Sequence, residues 1–506
     1  MFRKGRRAFA LVVAAALVMF VMVCCANRGP HRATAAQTQP VESWFAAYLQ
    51  GQKIGYMSES IRPLAGQDRI EYVSKNYAAL NVLGQSMEQT SVWVSTCDRE
   101  FHPLDLQFTI ESGGRTTAVV ARFGERAIEC AKTTGDNTVN STVPIPEGVE
   151  LVVDGQALVS QGRVDLGDEL TVHQFNPVTL EIEPCTLKGV RREPLALAGE
   201  TVDALLIHMV SPMIEADVWV DDAGRMLQLK SAMMQGSLEF RRVSREEATA
   251  ALTEEGPRVD LVVATAIRPN QPIDNPQRTA RLVLDIQGLE KLKRVPTDAW
   301  QQVSPRPGGG HRVTIDTAAA PRPAELSLPL TRSGAPGVEL AELEEYLKPS
   351  SYIESDHPEM LAKAKEILAG ERDVPRAMTL IHDYVQGRIR WQANIGLFRS
   401  ALEILRDPAG VCRDSAALYT ALARAAGIPT RVCAGLVYVN GAFMGHAWAE
   451  SWCGGWLAVD ATTAGMFVNA THLKLAQGSR YTCVFEMLPA LGSLSINVVE
   501  QTALQP

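Results

Sequence analysis

Three residues of this chain have the types and the order of an activated nucleophile: Cys412, His446 and Asp460. Cys412 follows Asp407-Pro408-Ala409-Gly410, which is turn chemistry, and opens a run from Arg413 to Ala426 rich in helix formers. That run stops at Gly427, with Pro429 just beyond. The spacing predicts a helix that starts near Val411 or Cys412. A sulfur there lies among backbone N–H groups without helical partners, at the positive end of the macrodipole, and both favour a thiolate. The competing reading is a small buried hydrophobe, the commonest fate of a free cysteine.

The elements after the helix must bring a base and an orienting carboxylate to that sulfur. Arg431 to Val439 is β-type, Asn440-Gly441 is a hairpin signal, and the returning strand carries Gly445-His446-Ala447-Trp448-Ala449-Glu450-Ser451-Trp452. Gly454-Gly455 then leads into Trp456-Leu457-Ala458-Val459-Asp460-Ala461-Thr462. Side chains alternate along a strand, so a two-residue loop at Gly454-Gly455 would send His446 and Asp460 to opposite faces. A three-residue loop, Cys453 to Gly455, sets Trp452 opposite Trp456 and makes Asp460 a diagonal neighbour of His446. The site therefore demands the odd loop. Trp448 and Glu450 share the His446 face and are expected to line the cleft, whereas Trp452 and Trp456 are expected to pack the hairpin.

The stretch Gly410-Val411-Cys412-Arg413-Asp414, then His446-Ala447-Trp448, then Val459-Asp460, resembles the core of the transglutaminase-like superfamily. The resemblance covers residues 345–465. Tyr352-Ile353 to Gly370, and the helix ending in Arg390-Trp391, resemble the family's lead-in helices. Where the family commonly reads Asp-Pro-Thr, this chain has Asp460-Ala461-Thr462, a departure in a turn. The resemblance implies an α+β, papain-like core and a Cys412, His446, Asp460 triad. It also implies thioester acyl-enzyme chemistry on amide or peptide bonds of a protein or peptide substrate. In that scheme the Cys412 N–H is the natural oxyanion donor, and Gln392 is a candidate for the second. Water as acceptor gives hydrolysis or deamidation, and an amine gives cross-linking; the residues do not choose. Two other readings stay open: a cell-envelope cysteine peptidase, and a non-catalytic envelope module that keeps a papain-like cleft for binding.

The 506 residues are too many for one core. Residues 1–36 carry six basic side chains and no acidic one, with Arg3, Lys4, Arg6 and Arg7 before an uncharged run from Ala8 to Ala26. That is the form of an export signal or an N-terminal anchor, and it places the body outside the cytoplasm, in the periplasm or envelope. Without it, 43 of the 49 basic residues remain against all 57 acidic ones, a net charge of −14, which argues against a nucleic-acid partner. Residues 37–250 read as hairpin after hairpin, an antiparallel β domain, open or curled into a partial barrel. Residues 251–344 are a Pro/Gly-rich β connector, 345–490 the transglutaminase-like domain, and 491–506 a tail. Helix starts fall near Asp356-His357-Pro358-Glu359 and Asp373-Val374-Pro375, and His357 and His382 on those helices are read as structural.

Seven cysteines lie beyond the leader with no close-set framework, which suggests buried thiols, with a Cys97–Cys130 bridge left open. Zinc on Cys412, Cys433, His446 and Cys453 lacks paired Cys-x-x-Cys spacing, and no calcium loop of Asp-x-Asp-x-Asp-Gly type is visible. No metal and no cofactor are expected.

Overall fold

The structure is a computed structural model and describes residues 41–503 apart from 65, 67, 83, 136, 154–156, 198, 232–237, 251–257 and 394–397. The leader, 1–36, lies outside the described residues. Among those described, no helix is long and apolar enough to cross a membrane. The chain divides into two compact units between Asp260 and Leu261.

In the first unit, period-two alternation produces strands with one buried face. Gln85–Cys97 buries Met87, Gln89, Ser91, Trp93, Ser95 and Cys97 and leaves the residues between them more exposed. Eight strands pair antiparallel in chain order from Val41–Leu49 to Asn137–Pro144, and six more run from Glu169–Asn176 to Leu238–Val243. Trp44 on the first strand faces Val243 on the last, which joins the two meanders into one antiparallel fourteen-stranded sheet with Asn137–Pro144 and Glu169–Asn176 at its edges. Cys97 and Cys130 are both buried free thiols, so the bridge left open by the sequence does not form. Burial pushes the Cys97 thiol up to about 12.

The second unit carries the site. Its helices are α1 (Pro358–Leu368), α2 (Val374–Arg388), α3 (Ala401–Arg406) and α4 (Cys412–Ala425). Its main sheet has the order β3-β2-β1-β4, from β1 (Thr430–Val439), β2 (Ala442–Trp452), β3 (Trp456–Val459) and β4 (His472–Gly478). Asn440 and Gly441 both have positive φ, 51° and 86°, the conformation a tight β1–β2 hairpin requires. α4 packs against β1, β2 and the other three helices, and is buried from Cys412 to Arg424. The cap of α1 is His357, whose Nδ1 accepts from the Glu359 N–H at 3.2 Å, rather than Asp356 one residue earlier.

The stretches read as connector and tail meet in one sheet. Thr279–Gln287 pairs with His311–Asp316 on one side and with Ser495–Ala503 on the other. The apolar alternation Leu282, Leu284, Ile286 is buried together with Ile496 and Val498. The Pro/Gly-rich run closes a hairpin, with the Arg306 N–H donating to Gly310 at 3.0 Å. This region also grips the main sheet. Gln301, fully buried, donates its amide to the Lys474 carbonyl and accepts the Lys474 N–H, both at 2.8 Å.

Candidate active site

Cys412 begins α4 as expected. The turn before it is fixed by two devices. The Val411 N–H donates to Asp414 Oδ2 at 2.8 Å, so Asp414 works as a cap in the first turn. The buried Arg399 guanidinium donates to the carbonyls of Ala409, Asp407 and Glu403, closing the α3–α4 turn. Trp391 bridges Gly410, and the Gln392 N–H donates to the Gly410 carbonyl at 3.0 Å, which holds the Gln392 backbone against the residue two before Cys412. Arg413 lies 5.3 Å over the ring of Phe398, in a cluster with Tyr352, Tyr481 and Phe485. On its other side α4 is tied to the sheet: Tyr419 and Thr430 both share hydrogen bonds with the Ser451 hydroxyl, at 3.1 and 2.8 Å.

The loop between β2 and β3 is the odd one. Trp452 faces Trp456 and Ala449 faces Val459, so Asp460 follows on the face of His446. His446 Nε2 donates to Asp460 Oδ2 at 2.9 Å. Cys412 lies near enough to the same imidazole to act on its charge. Burial alone would lower the His446 pKa, but Asp460 and Cys412 raise it to about 10, so the ring is an imidazolium at neutral pH. Burial alone would raise Asp460, yet His446 and His472 hold it well below the usual carboxylate range. All three residues are enclosed: exposure is 0% for Cys412 and 1% for His446 and Asp460.

His472, on β4, is the group the sequence reading missed. Its Nε2 lies 3.4 Å from Asp460 Oδ2, and its ring is 5.5 Å from His446. The alternating Thr471-His472-Leu473-Lys474-Leu475 marks a strand, but its register against β1 is set by a bulge that no local pattern announces. Trp448 walls the site, stacked at 6.0 Å on His446 and edge-on at 5.4 Å to His472.

Glu450 does not line a cleft. It is fully buried and bonded to Lys474 Nζ at 2.6 Å and Arg431 Nη2 at 2.5 Å, because β4 and the Asp298 loop cover that end of the face. Trp452 and Trp456 pack edge to face at 5.3 Å, with Arg431 4.2 Å over Trp456. His357 caps α1 and His382 bonds Asp383. Cys433 and Cys453 are buried thiols raised by burial, Cys453 to about 11.

Donor atoms of His446, Asp460 and His472 lie within 4.8 Å of one another, a spacing that could hold a metal. Here that spacing is accounted for by hydrogen bonds from both imidazoles to one carboxylate oxygen, so a metal would have to displace the bond that orients His446.

A helix-borne cysteine meeting a sheet-borne histidine and aspartate defines a papain-like cysteine-enzyme fold. Residues 362–461 match the model of the transglutaminase-like superfamily, so the second unit contains a transglutaminase-like domain. An uncharacterized protein of Mycobacterium leprae (strain TN) is 31% identical over 110 residues, 20% of this chain and 37% of that protein. The matched stretch thus spans little over a third of the relative's length. Among solved structures, a candidate cysteine protease from Cytophaga hutchinsonii is 19% identical, with TM-score 0.30, over 45% of this chain and 89% of its own. A candidate protease from Parabacteroides distasonis is 13% identical, with TM-score 0.18, over 72% and 69%. At these scores the likeness carries no functional argument.

Proposed function

We propose that the protein is a cysteine-dependent acyltransferase or amidohydrolase acting on amide or peptide bonds of a protein or peptide substrate outside the cytoplasm. The observation that carries this reading is the enclosed set Cys412, His446 and Asp460, in which Cys412 acts on the charge of an imidazole that is itself bonded to a buried carboxylate. Cys412 Sγ attacks the carbonyl carbon, and the oxyanion is met by the Cys412 N–H at the start of α4, with Gln392 beside it as a second donor. As the C–N bond breaks, the imidazolium gives its proton to the departing amine, leaving a thioester. Water or an amine then adds to the thioester and gives its proton to His446, and the C–S bond breaks to release the acid or new amide and restore the Cys412 thiolate beside the imidazolium. Hydrolysis and amine transfer share these steps and differ only in the acceptor. The charged leader supports export, and the acidic body is consistent with no nucleic acid.

The enclosure of Cys412 favours a second reading, a binding module whose site no longer turns over. Iodoacetamide separates the two. In an active site the His446 imidazolium promotes the thiolate. Alkylation of Cys412 near pH 6 should then be at least about tenfold faster in the wild type than in His446→Ala or His446→Gln, since one ion pair is worth a decade or more in ionisation. The rates should converge as pH rises through about 10, where the imidazolium is discharged. A thiol that resists alkylation throughout, or ignores the loss of His446, would establish the binding module.

A further inference from the structure

We propose that His472 is a positioning residue of this site, its imidazole fixing the Asp460 carboxylate so that Asp460 in turn holds His446 in line with Cys412. The inference rests on the acyl-transfer reading above. A carboxylate offers about four acceptor positions, and here four donors meet it. His446 and His472 share Oδ2, at 2.9 and 3.4 Å. The Thr462 N–H and hydroxyl share Oδ1, at 2.9 and 2.7 Å. Thr462 pins Oδ1 from just after β3, but with His446 alone Oδ2 would have a single partner, and one whose charge changes during the cycle. A second N–H on the same oxygen, from a different strand, gives Oδ2 a fixed partner that the chemistry does not alter.

The chain builds His472 into place. The Thr471 N–H and hydroxyl both donate to Asn469 Oδ1, at 2.9 and 2.6 Å, which fixes the entry to β4. Two residues further on, Gln301 clamps the Lys474 backbone. The shared wall of Trp448 holds both imidazoles. The charged and titratable groups around the pair are Asp460 between the rings and Cys412 on the far side of His446. Tyr481, from the turn Tyr481–Met487, and Arg413 and Asp414 in the first turn of α4 surround Cys412. Burial lowers the His472 pKa against the pull of Asp460, and the neighbouring His446 charge adds to the lowering, which favours the neutral ring. A neutral Nε2–H donor orients the carboxylate without competing to neutralise it.

The test compares Cys412 alkylation by iodoacetamide in the full chain, at about pH 6 and about pH 9, for the wild type, His472→Phe and His472→Gln. Phenylalanine keeps a ring against Trp448 but has no donor, and the glutamine amide reaches to the place of Nε2. His472→Phe should slow the reaction at the lower pH about tenfold, the lower end of what a hydrogen bond to a charged group is worth, with little change at the higher pH. His472→Gln should recover most of that loss. A merely structural role would lower the melting temperature of both variants and leave the ratio of the two rates unchanged, which would overturn the proposal. Failure of the acyl-transfer reading looks different, because the wild type itself would then show no His446-dependent alkylation.

Discussion

Glu450 is two residues past Trp448 on the His446 face, yet its part is to hold charge, not substrate. Burial would raise its carboxyl, but Lys474 and Arg431 bring it down to about 2. Glu450→Gln would leave two cations in the interior without their shared anion, a change that costs about 3–5 kcal/mol when a buried pair is broken. Thermal melting should show that loss, and an unchanged midpoint would mean that Asp298 alone compensates Lys474. The pH dependence has a definite sign. A carboxyl whose folded value lies below its unfolded value of 4.5 stabilises the fold above that pH, and the contribution is lost as pH falls toward 2. Urea midpoints of the wild type should therefore fall across that acid window, and those of Glu450→Gln should fall less.

At the scale of elements, the site depends on how closely β4 approaches β1. Gly435 faces His446 on one side and Lys474 on the other, at the bulge between Ala434 and Gly435. A Cβ there would sit 2.0 Å from the Leu473 carbonyl oxygen, so only glycine allows the strands to meet. Gly435→Ala must push β4 outward, at about the 1–3 kcal/mol typical of an overpacked core. Because His472 rides on β4, the variant should both melt earlier and lose pH 6 alkylation of Cys412. Unchanged melting would show that the strands separate freely. The lone methyl is a sharper probe than a truncation, since it moves the strand without removing any functional group.

On the scale of the whole molecule, the transglutaminase-like core is completed by chain from outside its matched span. Ser495–Ala503 pairs with Thr279–Gln287 and buries Ile496 and Val498, while Asn270 and Gln271 both donate to the Val498 carbonyl. Deleting 495–506 removes two buried aliphatic side chains, each worth about 1.5–3 kcal/mol, and opens the edge of a small sheet. The second unit should then lose about 3 kcal/mol or more of stability, seen as a lower denaturant midpoint for its transition. A midpoint equal to that of the full chain would show that the strand is dispensable and the core closes without it.

The sequence by itself determined the local chemistry of this protein. Cys412 at a helix start, the Asn440-Gly441 hairpin, and the odd loop between Trp452 and Trp456 all follow from short-range rules of capping, turn geometry and alternation, and the structure has each of them. Alternation likewise made the fourteen-stranded sheet legible as antiparallel hairpins. What only the tertiary structure decided concerns partners distant in the chain. Glu450 reads as a cleft residue until β4 and the Asp298 loop cover it. Residues 491–506 read as a tail until a strand from residue 279 onward is found beside them. His472 has no motif, because its place beside Asp460 is set by a bulge and by a clamp from Gln301, more than 170 residues earlier. Local patterns encode which way a side chain points along its own element. Which element lies opposite is settled by packing of the whole, and there the second histidine of the site is found.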